Sequence, residues 1–182
     1  TANRRQRQMC IRDRSFKDLT ERPIYKPIKI SSSITFDGQV DLEEWGNAQV
    51  ATNFIGSGTF QGEDALLKTE ARLMYDDTNI YVGFKAYVDK DDLRYSITKR
   101  DNLDDKDDRV WINIDAFDDE SLTYGIGVSA GGAQIDGRAT YGFDQSLDLT
   151  YETKVQIFDN RYEVEMVIPF SSLRYSVAPV QT

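Results

Sequence analysis

The stretch Asp108-Arg109-Val110-Trp111-Ile112-Asn113-Ile114-Asp115 decides the fold, because Val110, Ile112, Ile114 and then Ala116 fall at every second position. A period of two gathers side chains on one face only when the backbone is extended. The same period recurs three times more. It runs through Ile80, Val82, Phe84, Ala86 and Val88, through Leu122, Tyr124, Ile126, Val128 and Ala130, and through Tyr162, Val164, Met166 and Ile168, with Glu163 and Glu165 opposed to the last row. Strands that are apolar on one face need a second layer to cover it, and Asp- and Gly-rich turns separate the rows. The expected fold is therefore all-β, an antiparallel β-sandwich of jelly-roll-like form.

One short helix interrupts the strands. Asp41 can cap it, Glu44 stands three residues on where its carboxylate can reach back to the cap nitrogen, and Leu42 and Trp45 share a face, which makes Trp45 a packing residue. The dipeptide Asp37-Gly38 reads as a turn, and the glycine-rich run 56–64 reads as a loop.

A length of 182 residues suits one domain, and a 40% hydrophobic share can build a core despite 29% charged residues. There is no histidine, which excludes every triad or metal centre that needs imidazole. Acids outnumber bases by 31 to 22, a balance that repels phosphate backbones, so no nucleic-acid partner is expected. No run of about 18 apolar residues is present that could cross a membrane as a helix. The single cysteine, Cys10, sits in Arg5-Gln6-Arg7-Gln8-Met9-Cys10-Ile11-Arg12-Asp13-Arg14, which reads as a translated sequencing-adapter remnant or, alternatively, as a basic interaction arm. The expected organisation is a leader over 1–14, a polar linker over 15–26 and one sandwich over 27–182, cut short at its C-terminal end.

The side chains opposite the aliphatic rows carry the functional information. Arg109, Trp111, Asn113 and Asp115 form one such row, Thr123, Gly125, Gly127 and Ser129 a second, and Tyr81, Gly83, Lys85 and Tyr87 a third. Placed in one sheet, they would set very small residues beside a tryptophan and hydrogen-bonding groups, making a shallow aromatic groove. Sugars suit such a groove, since their apolar C–H faces stack on aromatic rings while their hydroxyls pair with amide, carboxylate and guanidinium groups. The candidate binding residues are Trp111 as platform, Tyr81, Tyr87 and Asn113 beside it, and Asp136 or Arg138 at the rim. Covered by a loop or a neighbouring domain, Trp111 would instead belong to a second small core.

The acids of 101–108, with Asp118, Asp119 and Glu120 beyond, are either a solvated loop or a calcium (Ca2+) site; they lack the EF-hand spacing, and no other cofactor is expected. Asp115 and Asp136 are conceivable as a glycosidase pair, which needs two carboxyl groups about 5 to 9.5 Å apart across a cleft. Nothing distinguishes them from the other acids, so a binding module rather than an enzyme is expected.

The run Ile34-Thr35-Phe36-Asp37-Gly38-Gln39-Val40-Asp41-Leu42-Glu43-Glu44-Trp45 resembles the opening motif of the family 9 carbohydrate-binding modules, where a strand and turn lead into a short helix bearing tryptophan. Tyr75-Asp76-Asp77-Thr78-Asn79-Ile80-Tyr81-Val82 is similar to the hairpin that follows, and the stretch around Trp111 to the central strand. Ala130-Gly131-Gly132-Ala133-Gln134-Ile135-Asp136-Gly137 and Tyr162-Glu163-Val164-Glu165-Met166-Val167-Ile168-Pro169-Phe170-Ser171-Ser172-Leu173 continue the likeness in order. It is strongest to a subgroup in which the module precedes an outer-membrane-type β-barrel domain of Gram-negative bacteria. The resemblance implies a non-catalytic module that binds oligosaccharide or polysaccharide, in a periplasmic, outer-membrane-associated or extracellular protein linked to polysaccharide breakdown. The alternative is an interaction domain docked on that downstream β-barrel, with no sugar bound.

Overall fold

The computed structural model describes residues 23–32, 34–56, 63–102, 104, 106–117, 122–139 and 143–175; the leader 1–14, most of the linker 15–26 and the stretch 176–182 lie outside them. Its strands are β1 (Ile28–Lys29), β2 (Val50–Ala51), β3 (Thr69–Tyr75), β4 (Asn79–Tyr87), β5 (Arg109–Asp115), β6 (Thr123–Ser129), β7 (Gln134–Ala139), β8 (Phe143–Asp144), β9 (Glu152–Phe158) and β10 (Arg161–Pro169). One helical turn, α1 (Leu42–Trp45), precedes β2, and a 3-10 turn (Phe170–Ser172) follows β10. The first sheet runs β1-β3-β4-β10-β9, with β2 also paired to β3, and the second runs β5-β6-β7-β8. The β1–β3 pair is parallel; the other strand pairs are antiparallel.

The period of two does what it promised. Val82 and Phe84 of β4 and Tyr162, Val164, Met166 and Ile168 of β10 meet Val110 of β5 and Tyr124, Ile126 and Val128 of β6 in one core between the sheets. Full burial of each such aliphatic side chain contributes about 1.5–3 kcal/mol, which is why the rows find each other. The fold is the all-β sandwich.

The partition of strands between the sheets differs from the expectation. β4 pairs with β10 along its whole length, Ala86 opposite Tyr162 and Phe84 opposite Val164. It therefore lies across the core from β5 and β6, and its row of Tyr81, Gly83, Lys85 and Tyr87 faces away from theirs. Alternation fixes which residues share a face of a strand, not which strands share a sheet; between β4 and β5 the chain crosses from one layer to the other.

The outward face of β4 is covered by the N-terminal segment. Val40, Trp45, Ala48, Met74 and Tyr81 form a second, smaller core there. Gly83 makes room for it, since a methyl group at that position would stand 3.0 Å from Trp45 Cζ3 and from Val40 Cγ1. Glu163 and Glu165 point into this layer and are only 2% and 0% exposed. Glu165 Oε2 accepts the backbone N–H groups of Asp37 (2.9 Å) and Gly38 (2.7 Å), and its Oε1 accepts Trp45 Nε1–H at 3.0 Å. Glu163 Oε2 accepts Val40 N–H at 2.6 Å, while Arg161 Nε donates to its Oε1 at 2.6 Å. Burial pushes the Glu165 carboxyl up, and those donors act in the opposite direction.

The turn at 37–38 is present, with Gly38 at φ +93°, a conformation open to glycine. Asp41 caps α1 as expected, its Oδ1 accepting the N–H groups of Glu43 and Glu44 at 2.9 Å each. Glu44 does not reach back to the cap nitrogen; its Oε1 accepts the N–H and hydroxyl of Thr35 instead, at 2.9 and 2.6 Å. Leu42 is exposed while Trp45 is buried, because a single turn docked through its indole leaves position 42 at the rim. Within the expected loop 56–64, residues 57–62 lie outside the described residues, and Gly56 N–H is bonded to Glu63 O at 2.7 Å where the two sides meet.

Candidate functional site

The outward face of the second sheet carries Trp111 differently from the way the first sheet carries Trp45. In the register of β5, β6 and β7, Trp111 lies opposite Gly127, which lies opposite Ile135, and Asn113 lies opposite Gly125, which lies opposite Gly137. The glycines leave no side chains to hold the indole up, so it lies down across β6. A methyl group at Gly125 would stand 2.1 Å from Trp111 Cζ2, and one at Gly127 2.4 Å from Cε3. Phe143 of β8 lies next to it over Gly137, 2.7 Å from the position a methyl group would take there. The two ring centroids are 5.4 Å apart with an interplanar angle of 59°.

This aromatic pair is open. Trp111 is partly exposed, and Phe143 is 46% exposed. Trp111 Nε1–H donates to Asn113 Oδ1 at 2.7 Å. Indole N–H can only donate, so the amide oxygen of Asn113 must face it, leaving the amide NH2 to point away as a pair of donors at the ring edge. Arg109, one outward position before Trp111, is exposed and stands opposite Ser129. The face thus combines a flat apolar surface with donors at its edge, which is what stacking and hydroxyl recognition need.

Of the candidate residues, the structure brings Trp111 and Asn113 together and places the others elsewhere. Tyr81 is 7% exposed in the second core on the far side of the molecule, its hydroxyl donating to Asp76 Oδ2 at 2.7 Å. Burial first and the Asp76 contact second raise its pKa. Tyr87 lies on that same far face, with Lys68 Nζ 4.9 Å above its ring. Asp136 and Arg138 alternate to the inner side of β7, Asp136 opposite Ile126 of the core row. Asp136 is fully buried, paired with Arg100 Nη2 and accepting Leu149 N–H at 2.6 Å. Desolvation pushes its carboxyl up, and those two partners pull the other way. Arg100 also donates to Gln134 Oε1 (3.1 Å) and Leu149 O (2.7 Å) and stacks 5.1 Å from the Tyr151 ring, so this cluster closes the sandwich edge. Arg138 is held by Asp144 at 3.1 Å on the exposed rim of β8.

The conceivable acid pair does not converge. Asp115 lies on the Trp111 face, opposite Thr123, whereas Asp136 is inside, so no sugar can lie between them. Among the described acids of 101–108, three are engaged by backbone N–H groups: Asp101 Oδ1 accepts Asp136 N–H (3.2 Å), Asp104 Oδ1 accepts Lys106 N–H (2.9 Å) and Asp108 Oδ2 accepts Arg94 N–H (2.8 Å). Among the described residues no three acids gather where they could hold a cation, and Asp118, Asp119 and Glu120 lie outside them. Phe143 is the platform residue that sequence reasoning missed. Its only signal is Gly137, which stands in register with Gly125 and marks a close approach on that face.

Residues 36–181 match the family described as carbohydrate family 9 binding domain-like. A family 9 carbohydrate-binding module from Caldicellulosiruptor kristjanssonii solved in complex with cellotriose superposes with a TM-score of 0.53 at 23% identity, over 80% of this chain and 68% of that one. The structure titled as a module of this family from the same organism in complex with glucose gives 0.53 at 22% identity, over 80% and 70%. A Bacteroides uniformis protein gives 0.59 at 12% identity, over 80% and 72%. At these identities the likeness is one of fold. No curated protein matches the chain.

Proposed function

The chain belongs to the carbohydrate family 9 binding domain-like family, whose members are non-catalytic binding modules, and from that membership we propose that it binds oligosaccharide or polysaccharide on the outward face of β5–β8. The observation that carries the proposal is the partly exposed Trp111 indole laid flat on Gly125 and Gly127, with Phe143 beside it and the Asn113 amide at its edge. A pyranose ring stacks its C–H face on the indole, and its hydroxyls accept from the Asn113 amide and the Arg109 guanidinium. Cello-oligosaccharides are the first ligands to try, since the related Caldicellulosiruptor module was solved with one.

Isothermal titration against a panel of oligosaccharides tests this. Removing a central aromatic anchor costs about 2 kcal/mol or more, so Trp111→Ala should raise Kd roughly thirtyfold, while Trp111→Phe keeps part of the affinity. Identical titrations of wild type and Trp111→Ala would remove the platform from the site. Polymeric glycan is met outside the cytoplasm, so the proposal carries with it a periplasmic, outer-membrane-associated or extracellular protein linked to polysaccharide breakdown, which fractionation of the native host would check. Docking of the same face on a downstream β-barrel domain is the competing role; it predicts no glycan binding and a Trp111-dependent association with that domain.

A further inference from the structure

We propose that the sugar taken by this platform carries an anionic substituent, a uronate carboxylate in the first instance, and that Arg109 is the group that selects it; this rests on the carbohydrate reading of the Trp111 face. Four arginines stand on strands of the two sheets. Arg72 pairs with Glu70 (3.2 Å), Arg138 with Asp144 (3.1 Å) and Arg161 with Glu163 (2.6 Å). Arg109 alone of these has no carboxylate partner among the described residues, although acids outnumber bases by 31 to 22 in the chain. An exposed guanidinium with no carboxylate partner among the described residues, on the same strand face as the partly exposed indole, is a recognition element rather than part of a structural ion pair.

The geometry suits a group on the edge of a stacked ring. Two residues along a strand separate Arg109 from Trp111 by about 7 Å. When a pyranose lies flat on the indole, an equatorial carboxylate leaves the ring in the ring plane. Turned along the strand, it reaches sideways toward position 109 and not down into the sheet. The planar fork of an arginine pairs with a carboxylate through two parallel N–H···O bonds, which a neutral hydroxymethyl at the same carbon cannot supply. Asn113, on the other side of Trp111, serves the hydroxyls. The net charge of −9 does not forbid the contact, because distant charges are screened beyond about 8 Å at physiological ionic strength and the nearest outward charge decides.

The test is titration of the whole chain with a trigalacturonate, a sulfated trisaccharide and a neutral trisaccharide, at low and at physiological salt, using wild type, Arg109→Gln, Arg109→Lys and Trp111→Ala. An anionic ligand should bind wild type about fivefold tighter than the neutral one, the scale of a well-formed exposed ion pair. That preference should vanish in Arg109→Gln, return in part in Arg109→Lys and narrow with salt, and in Arg109→Gln the anionic ligand should lose several times more affinity than the neutral one. Which anionic arm binds tighter identifies the substituent as carboxylate or sulfate ester. Equal affinity for the neutral and anionic ligands in wild type, or a preference that survives Arg109→Gln, would overturn the inference. Neutral binding through Trp111 without an anionic preference leaves the carbohydrate reading intact and sinks only this one; titrations insensitive to Trp111→Ala sink both.

Discussion

Gly125 is the position at which a single methyl group would do most to the open face. Its ideal Cβ falls 2.1 Å from Trp111 Cζ2 and 3.0 Å from Phe143 Cε2, closer than packed atoms approach, so the indole must swing away. The backbone itself has no objection, since the glycines with positive φ are Gly38 and Gly132. An alanine in a strand even loses less chain entropy on folding than glycine, by about 0.5–1 kcal/mol. Gly125→Ala should therefore fold with a melting temperature close to wild type and yet lose oligosaccharide affinity as fully as Trp111→Ala. The displaced indole should also show in the emission maximum, with Trp45 as the unmoved reference. Gly127 is a poorer test, because a methyl group there also meets Val110 O at 2.8 Å and strains the strand.

At the scale of elements, the covering of the first sheet hangs on β10. Glu165 takes three N–H donors with its two oxygens, two on Oε2 from the turn at 37–38 and one on Oε1 from Trp45. A glutamine fits the space but offers one oxygen and one NH2, so whichever way it turns, donor faces donor on one side. An unsatisfied buried donor costs about 1–3 kcal/mol, and Glu165→Gln should lower stability by that amount, with early loss of hydrogen-exchange protection at 37–40 ahead of the main core. Uniform protection loss across β5–β7 as well would refute the local account. Glu163 and Glu165 also show where alternation stops being informative. It assigns every core row correctly, because in β4, β5, β6 and β10 the apolar residues of that row alternate mostly with glycine, polar or aromatic residues on the other face. It does not reveal β3, whose inner row holds only Ala71 and Leu73 while apolar Met74 follows Glu70 and Arg72 on the other face, too short an alternation to mark a strand. β9 was equally silent, with only Val155 and Ile157 packed inward. Which strands share a sheet is a matter of chain crossing, and for that reason Tyr81 and Tyr87 were grouped with a tryptophan from which a whole sandwich separates them.

Over the whole molecule, the two sheets treat their outward faces in the same way up to the last step. Each lays a tryptophan on glycine, Trp45 on Gly83 and Trp111 on Gly125 and Gly127. Trp45 is then sealed by Val40, Ala48, Met74 and Tyr81 and is 0% exposed, whereas Trp111 has Phe143 for a neighbour and stays partly exposed. If that difference is functional, the two should separate stability from binding. Trp45→Ala opens a cavity in a closed layer and orphans Glu165 Oε1, at a cost of about 3–5 kcal/mol. Trp111→Ala removes one face of contact only and should cost about 1 kcal/mol, within the range of ordinary substitutions. At about 2–4 °C per kcal/mol for a chain of this size, the first variant should melt roughly 10 °C below wild type and the second within a few degrees of it. Urea titration followed by far-UV circular dichroism gives the same comparison without relying on either indole as a probe. A Trp111→Ala protein as unstable as Trp45→Ala would mean that the second sheet, like the first, spends its tryptophan on packing, and the open platform would lose its claim to a ligand.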